Sequence, residues 1–341
     1  MTSSKEKIKP AYWVWSLVFL VFAVVLIVHY FPDIKKEVLL LGKVNGYWLA
    51  MAICSQLLTY LFAALVYRLL MKSFPLQRYP PLWEMMKASL ISLFFNQAVP
   101  SGGISGNTFI FRFLKRFKMH AADRISLIAI ELVCYYCALE ILIISSLFIC
   151  IFVYKTPQLF KGVLTGGILI FLLLGALIIF ASRKKFIVHL FKKIKQIKFI
   201  GKHLSFDFPK SGGREFTFLK THRRKVMVSV LFQLLMVTAD SFTVYALFRG
   251  TGISAAPFVV ILAFISTRII SILPVSPGSL VLYESSMVFF FVHLGMPAGA
   301  SVVVTLLYRL LSFWLPMPIG FVLYRREMRR THRNTKLSPT K

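Results

Sequence analysis

The chain has 341 residues, 57% of them hydrophobic, and a formal net charge of +29. That apolar share excludes an ordinary soluble domain. The 41 Lys and Arg stand just outside long apolar runs, a pattern that orients membrane proteins and attracts anionic membrane lipid, so no nucleic-acid partner is expected.

In chain order, residues 1–11 are polar and basic, with Lys5, Lys7 and Lys9. Tyr12 to Phe31 reads as a first span, with Tyr12, Trp13 and Trp15 at one interface and Tyr30 at the other. It is too long for a cleavable leader, and no small-residue cleavage site follows. Tyr47 to Leu70 is a second span, followed by Lys72 and Arg78, which places the N-terminus and the 71–81 loop in the cytoplasm.

Residues 82–118 are apolar but interrupted at Asn96-Gln-Ala-Val-Pro100-Ser-Gly102-Gly103-Ile-Ser-Gly106. Both flanks are basic, so the spacing predicts a re-entrant hairpin that enters from the cytoplasm and returns to it. Ala121 to Tyr154 and Gly162 to Ser182 follow as two further spans. The stretch 183–225 holds fourteen Lys or Arg against Asp207 and Glu215. It reads as a cytoplasmic connector or as an amphipathic platform on anionic lipid. Val226 to Phe248 is the next span.

A second interruption, Pro274-Val-Ser-Pro277-Gly278-Ser-Leu-Val-Leu-Tyr-Glu284, lies inside 257–296. Proline removes a backbone donor and restricts its predecessor, and glycine permits a sharp reversal. In hydrocarbon such a broken helix persists only inside protein or beside a watery cavity. Ala298 to Leu323 is the last span, and the basic tail after it is cytoplasmic. The second hairpin therefore enters from the face opposite to the first. An offset of 177 residues carries Pro100 onto Pro277, Phe113 onto Phe290, Met119 onto Met296 and Ala121 onto Ala298.

The predicted fold is an all-α polytopic membrane protein in a single domain, 1–341. About six full spans accompany two oppositely oriented re-entrant hairpins. Its halves, 1–182 and 226–341, form an inverted repeat around the connector, in the manner of many transporters.

Six charged residues fall at membrane depth: Glu131, Glu140, Asp240, Arg268, Glu284 and Arg309. Each costs at least about 2.5 kcal/mol there unless paired or hydrated. They could hold helices together, or they could line a midplane cavity. In the second case Gly102, Gly103, Gly106 and Gly278 leave backbone N–H groups open to a lipid phosphate. Arg268 or Arg309 supplies fixed positive charge, and Glu284 is its partner or a proton carrier. Asn96, Pro100 and Pro277 complete the candidate phosphate site.

Catalytic motifs are absent: no P-loop, no G-x-S-x-G and no H-E-x-x-H. No enzyme activity, metal or cofactor is expected. The cysteines Cys54, Cys134, Cys137 and Cys150 lie in apolar runs, and Cys134-Tyr-Tyr-Cys137 has neither a second C-x-x-C nor a His pair nearby. They read as buried small hydrophobes.

Pro277-Gly278-Ser-Leu-Val-Leu-Tyr-Glu284, Leu294-Gly-Met-Pro297-Ala and Leu307-Tyr-Arg309-Leu-Leu-Ser-Phe-Trp314 together resemble the C-terminal signature of the lysylphosphatidylglycerol synthase transmembrane (flippase-like, UPF0104) family. Asn96-x-x-x-Pro100-Ser-Gly102-Gly103-x-x-Gly106 resembles its first signature. Ser279 and Val281 stand where that family often has glycine, which predicts a less tight second turn. The resemblance covers only the membrane half of the full synthases. It implies translocation of a phosphate-bearing lipid between leaflets of the inner membrane, the lipid being a phospholipid or a polyprenyl-phosphate carrier. The alternative is a membrane scaffold for a separate lipid-modifying enzyme.

Overall fold

A computed structural model describes residues 44–76, 78–99, 103–154, 156–181, 221–272 and 279–337. The first predicted span, nearly all of the basic connector, and Pro100, Gly102, Pro274, Pro277 and Gly278 lie outside the described residues. Every regular element described is helical.

Five of the helices are long and apolar enough to cross a bilayer, which makes the chain a multi-pass membrane protein. They are α1 (Gly46–Met71), α4 (Ala121–Phe152), α5 (Gln158–Ala181), α6 (Arg223–Gly250) and the composite α9–α10. The last consists of α9 (Ala298–Arg309), a π-helical turn over Leu310–Trp314, and α10 (Pro316–Leu337). Between the long helices lie two broken pairs, α2 (Leu82–Ala98) with α3 (Ile104–Leu114) and α7 (Pro257–Ile270) with α8 (Leu282–His293). At about 1.5 Å per residue, none of these four reaches across the ~30 Å hydrocarbon layer.

The closest helix pair is α1 with α6. Asn45 caps α1 by accepting from the Tyr47 amide at 2.9 Å, and its own amide donates to the Gly250 carbonyl at the end of α6, also at 2.9 Å. At the opposite end the Lys225 amine donates to the Lys72 carbonyl at 2.8 Å. The two helices therefore run antiparallel. Around them α2 packs on α10, α4 on α5 and α6, and α7 on α8.

The buried apolar side chains form two clusters. One gathers residues of α4 to α9, including Phe248, Phe264, Phe291 and Tyr308. The other gathers the ends of α1 to α4, including Met71, Met85, Ile110 and Leu127. α5 is the least buried long helix. Its Leu169, Leu172, Leu173 and Leu177 face outward, where lipid tails replace water as the neighbour.

Cys134 and Cys150 are buried as expected, but Cys54 and Cys137 are exposed on apolar helices. At i, i+3 the two residues of the C-x-x-C stand only about 60° apart around α4, and they straddle the edge of its buried face, Cys134 inside it and Cys137 just outside.

Candidate functional site

The two helix breaks meet at one cavity of ≈ 500 Å³. The first break contributes Asn96, Gln97, Val99 and Gly103, and the second contributes Ser271, Ile272, Ser279 and Tyr283. Arg268 of α7 and Arg309 of α9 line it, as do Gln56 and Tyr60 of α1 and Asp240 of α6. The rest of the wall is largely apolar, including Leu93, Leu132, Leu139, Phe171 and Met236. A polar pole within an oily wall is the shape an amphiphile needs.

The first break is closed by side chains. Asn96 Oδ1 accepts the Gly106 amide at 2.7 Å, and the Ser105 hydroxyl donates to the Phe95 carbonyl at 2.8 Å. Asn96 thus acts as an N-cap for α3 from ten residues upstream, answering an amide that a helix start otherwise leaves open. Gly106 is consequently not an open donor for a ligand, and it does not line the cavity. A Cβ at Gly106 would stand 2.5 Å from Asn96 Oδ1 and from the Ser92 carbonyl, so glycine is required there for contact. Gly103 takes φ +89, a left-handed conformation natural to glycine.

The second break is built differently. Ser279 donates from its hydroxyl to the Ser271 carbonyl at 2.8 Å, tying the far side of the break to the end of α7. Ser279 has φ 54 and Val281 has φ 71. A positive φ is unusual for any side-chain-bearing residue and an outlier for a β-branched one. The turn itself, residues 273–278, lies outside the described residues, so the expected loosening applies to a stretch the structure does not describe. Beyond it, at Ser279 and Val281, the backbone keeps a glycine-like conformation although two side chains stand in it.

The ion pairs divide in a way that sequence order does not suggest. Arg268 pairs with Asp240, whose second oxygen accepts the Tyr308 hydroxyl at 3.0 Å. Arg309 donates from Nε to Glu284 Oε1 at 2.5 Å. The Arg309 guanidinium lies over the rings of Tyr283, at 4.8 Å, and Phe313, at 4.4 Å. Arg309 lines the cavity, whereas Glu284 stands behind it as a partner. Both cations are thereby held in place, each beside one acid.

Glu131 is away from the cavity. It accepts from Tyr67 at 3.3 Å and from Gln233 at 2.9 Å, which ties α4 to α1 and α6. Glu140 is buried in α4 and does not line the cavity either.

The π-turn shapes the floor. Leu315 donates its amide to Leu310, five residues back, at 2.8 Å. Pro316 has no amide to give. The Leu311 and Ser312 carbonyls accept side chains instead: Tyr60 on Leu311 at 3.4 Å, and Gln97 Nε2 on Ser312 at 2.9 Å. Sequence reasoning passed over Gln56, Tyr60, Gln97, Tyr283 and Tyr308 as site residues. The available signal was polar side chains inside apolar runs, together with the paired prolines Pro316 and Pro318.

This frame of two broken helix pairs between long spans agrees with a match over residues 13–320 to the lysylphosphatidylglycerol synthase TM region. The chain belongs to that family. Among curated proteins, a UPF0104 membrane protein of Pyrococcus horikoshii is 31% identical over 114 residues. That similarity spans 32% of this chain and 34% of the relative.

Proposed function

We propose that this protein carries a phosphate-bearing lipid between the two leaflets, and that it is a carrier and not an enzyme. The observation behind this reading is the cavity itself: apolar over most of its wall, polar where the two helix breaks meet, and lined by two guanidinium groups, that of Arg309 buried and that of Arg268 partly exposed. The lipid phosphate sits against Arg268 and Arg309, and the acyl or prenyl chains follow the apolar wall toward lipid. Both termini and the 183–225 stretch face the cytoplasm, following the Lys/Arg asymmetry.

Alternating access comes from an inverted repeat with hairpins entering from opposite faces. Helix boundaries support the repeat. The offset of 177 residues that carries Ala121 onto Ala298, the starts of α4 and α9, also carries Gly46 onto Arg223, the starts of α1 and α6. The matched helices α1 and α6 run antiparallel, as inversion requires.

Reconstitution into vesicles with a fluorescent phospholipid in both leaflets tests this. Chemical quenching from outside reads how fast inner-leaflet lipid appears. Wild type should exceed protein-free vesicles, and Arg309→Met should not. Equal rates with and without wild-type protein would sink the carrier reading.

A further inference from the structure

The deep acids are not equally answered. Asp240 and Glu284 each stand against an arginine. Glu131 of α4 has no cation beside it among the described residues. It accepts from the Tyr67 hydroxyl of α1 at 3.3 Å and from Gln233 Nε2 of α6 at 2.9 Å. The other titratable groups near it are Cys134, Tyr135 and Tyr136 of its own helix. Thiols and phenols ionise only to anions, so none of these offsets a charge on Glu131. A charge at membrane depth is costly without a partner, and a proton removes it.

Gln233 suits both states of that carboxyl. Its nitrogen answers the carboxylate. Its oxygen has no partner among the described residues, on a side chain only 1% exposed, and buried polar atoms are nearly always paired. Ser229 Oγ, one turn earlier on the same face of α6, is buried and unpartnered too. A carboxylic acid supplies a missing donor. With a proton on Glu131 and the Gln233 amide turned over, the acid O–H donates to Gln233 Oε1. An arginine at this position would hold the charge, and a leucine would answer neither form.

Glu131 lies outside the cavity but is electrically joined to it. Tyr135, one turn along α4, lines the cavity, hydrogen-bonds to Arg268 and is within electrostatic reach of Glu131 and Asp240. Tyr67 and Gln233 stand between the cavity-lining residues of α1 and α6 and the helix ends next to Lys72 and Lys225. Negative charge arriving at Arg268 disfavours a second negative charge nearby. A lipid phosphate in the cavity and a proton on Glu131 therefore assist each other, and by linkage the assistance is mutual.

We propose that Glu131 is a proton-binding site that accompanies the lipid, taking a proton from one side of the membrane and giving it up on the other. A proton gradient then drives the carrier. This rests on the carrier reading. The proton adds to a Glu131 carboxylate oxygen as the anionic head group occupies the cavity and leaves after the head group departs. No bond other than that O–H forms or breaks.

The test uses full-length protein in vesicles with a trace of fluorescent phosphatidylglycerol as the probe. A difference of one pH unit should hold the label at a leaflet ratio of up to about tenfold, the ratio that one proton per lipid sustains. Without the gradient the ratio should be one. Glu131→Gln, which imitates the neutral acid, should remove the asymmetry, and Glu140→Gln should not. Infrared difference spectra of purified protein, stepped between acid and neutral pH, read the site without lipid. A carboxylic-acid band seen in wild type and in Glu140→Gln should be missing from Glu131→Gln. The gradient comparison uses wild-type protein, so a variant that does not fold leaves it intact. Translocation indifferent to the pH gradient, asymmetry that survives Glu131→Gln, or asymmetry driven by sodium instead would overturn the proton assignment and leave the carrier standing. No translocation by wild type would overturn the carrier reading and the coupling with it, and the infrared band then decides whether Glu131 binds a proton.

Discussion

Arg309 and Glu284 lie on adjacent helices, α9 and α8, and are joined Nε to Oε1 at 2.5 Å beside the second helix break. The pair could serve the fold alone, and the two roles separate by experiment. Removing one partner of a buried pair leaves an uncompensated charge and costs about 3–5 kcal/mol. Arg309→Met should therefore lower thermal stability strongly. Glu284→Gln with Arg309→Met should be milder, because no charge is stranded. If the pair holds the lipid phosphate, the double variant folds yet does not translocate lipid. A stable double variant with wild-type transport would assign the pair to folding only.

Val281 holds a positive-φ backbone conformation, φ 71 and ψ −51, outside the left-handed helical well, and such sparsely populated geometry costs about 1–3 kcal/mol. Val281→Gly should raise the melting temperature of the purified protein, since the relief outweighs glycine's entropic cost of about 0.5–1 kcal/mol. Ser279→Gly should act more weakly, because it also removes the hydrogen bond to the Ser271 carbonyl. A lower melting temperature for Val281→Gly would contradict the backbone assigned to this turn.

Gly106 and Gly175 should respond oppositely to alanine. At Gly106 the new methyl meets the Ser92 carbonyl and Asn96 Oδ1 at 2.5 Å. Main chain cannot step aside cheaply, and overpacking of this kind costs about 1–3 kcal/mol. At Gly175, within α5, nothing lies within 4 Å. Alanine there should be neutral or stabilising, by up to ~1 kcal/mol on helix propensity. Thermal melting of the two variants side by side reads the contrast, and equal effects would refute the packing of α3 against α2.

Pro316→Ala restores an amide to the span. The π-turn should then relax toward an α-helix, with the new amide competing for the Leu311 and Ser312 carbonyls. Tyr60 and Gln97 would lose their acceptors. The expected outcome is unchanged or higher thermal stability with weaker lipid retention in native mass spectrometry. Retention equal to wild type would show that the π-turn does not organise the cavity.

The sequence by itself determined the class, the five long spans found among the described residues and the places where helices break. Each follows from a local rule. Apolar runs of sufficient length must be helical in hydrocarbon, and Pro and Gly interrupt them wherever they occur. The offset of 177 residues that matches Ala121 to Ala298 was likewise legible, and helices start at both positions. The six deep charges could be recognised one by one, since each is costly in isolation.

What each of them meets was decided only by tertiary structure. Arg268 finds Asp240, 28 residues earlier on the neighbouring helix α6, while Glu284 goes to Arg309, and Glu131 leaves the site for Gln233 and Tyr67. A pairing depends on which helix faces turn toward each other, and that is fixed by the packing of α1 on α6 and of α7 on α8, not by spacing along the chain. The same holds for Gln56 and Gln97. In sequence they are polar residues in apolar helices. Only the folded bundle brings them to one cavity and commits their amide nitrogens, that of Gln97 to the Ser312 carbonyl and that of Gln56 to the Thr59 hydroxyl.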